Sequence, residues 1–150
     1  MELLSELNEL SSQLKTDTGL TIEVMRSVSP DYFLGHFNNS AILHQPTAFK
    51  PQRGAQLKPT HVVCKHFCTM NKVIISQIEG WVGGSGSELL NSSEIRFNVR
   101  GKKVNQKELL PVIITGGIGS QWTPRLMRYS RALELVLNGG HLDIETTESR

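Results

Sequence analysis

At 150 residues, with 38% apolar and 20% charged side chains and six prolines, the chain has the size and balance of one globular domain. Such a length buries a core without disulfides or a metal, and the composition excludes both a disordered tail and a membrane protein. No apolar run approaches the roughly 18 residues of a membrane span. The acidic opening MELLSELNEL lacks the basic start and apolar centre of a secretory signal. The reading is therefore a soluble chain, cytoplasmic or particle-associated, with no membrane partner and with Cys64 and Cys68 in a reducing compartment.

The net charge of +2 is unevenly spread. Residues 1–31 carry −4, residues 96–131 carry +7 and the last nineteen carry −3. Acidic ends and a basic third quarter suggest complementary surfaces.

In chain order, Leu3, Leu7, Leu10 and Leu14 form a 4-3-4 stripe that predicts an amphipathic helix closing at Gly19. Thr21–Val28 reads as a strand with Ile22, Val24 and Val28 on one face, broken by Ser29-Pro30-Asp31. Ala41–Leu43 reads as a short strand, and about 45–60 as a loop-rich segment holding Pro46, Pro51, Gly54 and Pro59. His61–Cys68 and Val73–Ile78 read as the two strands of a hairpin. Trp81–Ser87 reads as a flexible, glycine-rich connection. Ile95, Phe97 and Val99 alternate with Glu94, Arg96, Asn98 and Arg100 as a half-buried strand, and Gly101-Lys102 turns it into a partner starting at Lys103. Val112–Thr115 reads as a buried strand. A final helix is punctuated by Thr123 as N-cap, Pro124 as first helical residue and Gly139-Gly140 at its end, with Leu126, Ser130, Leu133 and Leu137 buried. A short polar tail occupies 141–150. The fold expected is one α+β domain over 1–150: an N-terminal helix, a mainly antiparallel sheet of about five or six strands, and a C-terminal helix packed on it.

Three candidate sites follow. Cys64, His66 and Cys68 have the ligand chemistry of zinc. On one strand, however, the outer two stand about 13 Å apart, so the sequence favours small core residues and no metal. Gly116, Gly117, Gly119 and Ser120 form a loop before a helix that could offer N–H groups to a phosphate, without matching a full nucleotide motif. Arg96, Arg100, Lys102, Lys103, Arg125, Arg128 and Arg131 form a basic interaction surface. No nucleophile elbow, metal-protease motif or paired-carboxylate motif is present, so no catalytic residue and no cofactor is assigned. The resulting expectation is a non-enzymatic structural or assembly subunit, joined to itself or to other protein subunits through charge-complementary surfaces. A viral or phage particle component fits that description. The alternatives are a nucleic-acid-binding module using the basic strand and helix, and a small enzyme using the Gly116–Ser120 loop for a phosphorylated ligand.

Overall fold

The computed structural model describes residues 2–35, 38, 57–105, 115–138 and 141–143. Its elements are α1 (Glu2–Thr16), β1 (Ile22–Arg26), β2 (Tyr32–Leu34), α2 (Pro59–Thr69), β3 (Val73–Ile78), β4 (Trp81–Gly83), α3 (Ser85–Asn91), β5 (Ile95–Asn98), β6 (Lys103–Asn105), α4 (Gly119–Leu126), α5 (Tyr129–Asn138) and β7 (His141–Asp143).

The strands form two sheets with orders β1-β3-β5 and β2-β4-β6-β7. Each successive strand pair delivers its first member to one sheet and its second to the other. Neighbours within a sheet are therefore related by a crossover and run parallel: β1 with β3, β3 with β5, β2 with β4, and β4 with β6. Only β6 and β7, among the described residues, pair antiparallel. This corrects the expected mainly antiparallel sheet. Tight hairpins between β3 and its predecessor, or between β5 and β6, do not exist here. The chain leaves each sheet after one strand instead of turning back.

The segment His61–Cys68 is helical, not a strand. Pro59 occupies the first turn of α2, where its missing N–H costs nothing. Val63, Cys64 and Phe67 then fall on one face and are buried. That face meets Leu14 of α1, Met70, Ile74 of β3 and Leu89 of α3, with Leu4, Leu7, Met25, Leu34 and Ile118 packed around them. Each fully buried apolar side chain of this kind contributes about 1.5–3 kcal/mol. A second cluster, Ile78, Val82 and Leu90 with Phe33 and Val104, joins the two sheets.

Helix α1 forms as expected, but its buried stripe is Leu4, Leu7, Ser11 and Leu14; Leu3 is 52% exposed. Ser11 replaces an apolar residue on that stripe because its Oγ lies 3.0 Å from His66 Nδ1 on α2. Lys72 is buried with its Nζ donating to the carbonyls of Asp17 and Leu20, which ties down the chain leaving α1. In β1 and β5 the expected faces are reversed. Ile22 and Phe97 point outward, while Met25, Arg96 and Asn98 turn toward the interior.

The expected last helix is two. Thr123 and Pro124 lie inside α4, and a break at Met127–Arg128 separates it from α5. Pro124 is tolerated because the carbonyl it cannot serve, that of Ser120, belongs to an exposed residue. Ala132 and Leu135, not Leu133 and Leu137, face inward. The expected strand Ala41–Leu43, most of the 45–60 loop, most of Val112–Thr115 and the tail beyond Asp143 lie outside the described residues. Among the described residues no helix is long and apolar enough to cross a membrane.

Candidate functional site

The glycine-rich stretch Trp81–Ser87, with Gly80 before it, is a packed joint rather than a flexible connection. A Cβ on Gly80 would lie 2.4 Å from the Tyr32 backbone nitrogen, and one on Gly86 would lie 2.3 Å from the Leu34 carbonyl oxygen. Gly84 adopts φ 51°, which lets β4 turn directly into α3. These close approaches seat α3 against β2 and carry Glu88, in its first turn, into the interior at 4% exposure.

A buried carboxylate requires hydrogen-bond partners. Glu88 Oε1 accepts three backbone N–H groups: Gly117 at 2.8 Å, Ile118 at 3.1 Å and Gly119 at 2.9 Å. These are the N–H groups that the sequence offered to a phosphate. In the structure they are occupied by the chain's own Glu88 carboxyl group. A Cβ on Gly117 would fall 2.0 Å from Glu88 Oε2, so only glycine admits the carboxyl group here. Asn91 Nδ2 donates to Thr123 Oγ1 at 3.0 Å and fastens α3 to α4 a turn further along.

On the far side of this loop lies a cleft of about 470 Å³. Its walls are Leu57, His61, Lys65, Cys68 and Thr69 on the α2 side, and Thr115–Ile118 with Ser120, Gln121 and Trp122 on the other. His61 Nε2–H donates to the Gly116 carbonyl and bridges the two walls. Trp122 is held beneath the Arg125 guanidinium, 5.6 Å from the ring centroid. Gly117 both lines the cleft and lies against the Glu88 carboxyl group.

The zinc candidate is dispersed by the helix. Cys64 and Cys68 are one turn apart on α2, but His66 is rotated about 200° from Cys64 and meets Ser11 instead. Burial and the nearby Glu88 push the Cys64 thiol up to about 12; burial and Glu94 push Cys68 up to about 11. Protonated thiols are poor metal ligands. No group of three His, Cys, Asp or Glu among the described residues could hold a metal ion.

The basic residues do not form one strand-and-helix stripe. Arg96 is half-buried and donates to the Ser93 carbonyl at 2.6 Å, with burial lowering its pKa. Arg100 and Lys102 lie in the segment after β5, whereas Lys103 belongs to the other sheet. Arg125 covers Trp122, Arg131 pairs with Glu134, and Arg128 stands at the α4–α5 break. Glu88 was not singled out by the sequence. Its one signal was an isolated acid between a glycine-rich run and the apolar pair Leu89-Leu90.

No protein-family model matches the chain. A Bacillus subtilis protein named "Probable enoyl-CoA hydratase" is 27% identical over 139 residues, covering 91% of this chain and 52% of that protein. Mitochondrial methylglutaconyl-CoA hydratase of Mus musculus is 26% identical over 141 residues, covering 94% of this chain and 44% of that protein. Among solved structures, enoyl-CoA hydratase from Bacillus anthracis superposes with a TM-score of 0.85 at 20% identity, over 99% of this chain and 56% of that one. A Streptomyces avermitilis structure described as a "putative enoyl-CoA hydratase" gives 0.81 at 27% identity, over 97% of this chain and 54% of that one. The chain thus spans about half the length of the relatives it matches. These relatives carry the names of enzymes, which overturns the expectation of a non-enzymatic assembly subunit or a viral or phage component. Its paired parallel strands and intervening helices give this chain the fold of the enoyl-CoA hydratases.

Proposed function

We propose that the chain supplies a site for hydrating an α,β-unsaturated acyl thioester of coenzyme A. In that reaction a water O–H bond breaks, the oxygen bonds to the β-carbon, and the π electron pair takes a proton at the α-carbon. Nothing is oxidised or reduced, so the step needs a proton-transfer group and a place for the acyl chain. Glu88 is the group we assign to proton transfer. Its carboxyl is fixed by three N–H groups through one oxygen, while the other oxygen lies against Gly117, which also lines the cleft. The cleft between α2 and the Thr115–Trp122 segment takes the acyl chain against Leu57, Ile118 and Trp122.

The observation that carries this reading is the buried, triply bonded carboxylate behind the cleft, in a chain whose relatives bear hydratase names. On this reading the chain works inside the cell, where coenzyme A thioesters are made and used, and the mitochondrial relative's name supports that. The test is loss of the conjugated thioester's ultraviolet absorbance on adding the protein. Glu88→Gln retains an oxygen for the three N–H groups but cannot transfer a proton. It should lower kcat by about 10²-fold or more with little change in KM. Undiminished turnover by the variant would remove Glu88 from the chemistry.

A further inference from the structure

Position 117 admits only glycine, and that has a mechanical consequence. A Cβ there would fall 2.0 Å from Glu88 Oε2, so the peptide joining Gly116 to Gly117 has glycine on both sides. Such a peptide flips readily, because flipping drives φ of the second residue positive, where glycine alone sits without strain. Gly117 is not in that region. The orientation matters: this N–H donates to Glu88 Oε1 at 2.8 Å, and a flipped peptide would turn its carbonyl oxygen on the carboxyl group instead. The Ile118–Gly119 peptide also donates to Glu88, but its carbonyl is fixed by the N–H groups of Gln121 and Trp122 in α4. The Gly116–Gly117 peptide lies ahead of α4, and its carbonyl accepts from His61 Nε2 on α2 instead. Helix α2 is seated in the main core through Val63, Cys64 and Phe67, so the imidazole reaches across the cleft from a fixed base.

Resting on the hydratase reading above, we infer that His61 is a positioning residue for Glu88, acting through this one peptide. Its Nε2–H holds the carbonyl, and the N–H on the other side of the same amide holds the carboxyl group. A donor on the carbonyl also polarises the amide, which strengthens the bond its N–H makes. His61 takes no part in the proton transfers. What it supplies is a donor at a set reach, which a glutamine can imitate and a leucine cannot.

Native-state amide hydrogen exchange, followed by NMR on the whole protein, reads this peptide without needing turnover. His61→Leu should speed exchange at Gly117 by about tenfold, the scale of one lost hydrogen bond, while Ile118 and Gly119 stay as slow as in native protein. Slow exchange at those two also shows that the variant folds. His61→Gln should restore the protection of Gly117. In hydration assays His61→Leu should lower kcat by about tenfold with KM little changed, and His61→Gln should recover most of that loss. Unchanged Gly117 exchange in His61→Leu would overturn the inference. Equal acceleration at all three amides would also overturn it, because His61 would then hold the whole loop rather than one peptide. Turnover by His61→Gln as slow as that of Glu88→Gln would overturn it too, making His61 a proton-transfer group. Absence of hydration by the native protein would sink the hydratase reading and the catalytic purpose of the contact, whatever the exchange rates show.

Discussion

Removing the Glu88 side chain should destabilise the fold severely, and the structure sets the size of the effect. Glu88→Ala strips the acceptor from the N–H groups of Gly117, Ile118 and Gly119, bonded at 2.8, 3.1 and 2.9 Å. Gly119 is buried and the other two are partly so. An orphaned buried donor costs about 1–3 kcal/mol, and water entering the vacated space would recover part of that. The expected loss is therefore about 3–5 kcal/mol, or roughly 10 °C in Tm for a chain of this size. Glu88→Gln keeps an oxygen acceptor and loses only the charge assistance of the three bonds, about 1–2 kcal/mol in total. Urea denaturation followed by far-ultraviolet circular dichroism, with native protein and both variants under identical conditions, measures the difference. Glu88→Ala within 1 kcal/mol of native protein would refute the reasoning, because the loop before α4 would then be held by something else.

Other expectations follow from the same contacts. Gly86→Ala forces a Cβ to 2.3 Å from the Leu34 carbonyl oxygen, a backbone atom that cannot rotate away. It should cost about 3 kcal/mol or more by denaturation, and a neutral outcome would contradict the close packing of α3 on β2. Burial, Lys15 and Lys65 lower the His66 pKa below its ordinary 6.5. The unfolded chain therefore binds the proton first. His66 contributes fully above pH 6.5, and that contribution falls as pH drops toward the lowered folded value. Native protein should lose stability relative to His66→Gln between pH 6.5 and 5, and parallel curves would contradict the shift. Cys64 and Cys68, held at about 12 and about 11, should react slowly with a disulfide reagent at pH 8 and rapidly in urea. Fast labelling of both in the native protein would show that the thiols are not shielded as described.

The sequence was most readable where one element answers to one local pattern. β3 occupies Val73–Ile78 as read, and α1 begins and ends close to its expected limits. Misreading set in where short apolar runs suit two periods at once. Val62-Val63 and Phe67 in His61–Cys68 look like a strand, yet the buried set Val63, Cys64 and Phe67 has helical spacing, and Pro59 marks the helix start. The glycines at 83 and 86 looked like slack because what they make room for, the Trp81 ring and Asn105 side chain at Gly83 and the Leu34 carbonyl of β2 at Gly86, leaves no local pattern. Parallel pairing was also hidden, since the partners of β3 lie across crossovers rather than across a turn. For the site, the Gly116–Ser120 loop was read as a place for a phosphate, whereas the N–H groups of Gly117, Ile118 and Gly119 are taken up by a side chain of the chain itself. That side chain, Glu88, is 29 residues from Gly117, and no local spacing connects the two.

The most direct test of the account is detection, by mass spectrometry, of the hydroxyacyl product after the protein is mixed with an α,β-unsaturated acyl-CoA. Native protein should form the hydrated thioester, with Glu88→Gln slower by about 10²-fold or more while still binding the substrate. Binding without hydration by the native protein, or equal hydration by the variant, would contradict the assignment of Glu88 to proton transfer.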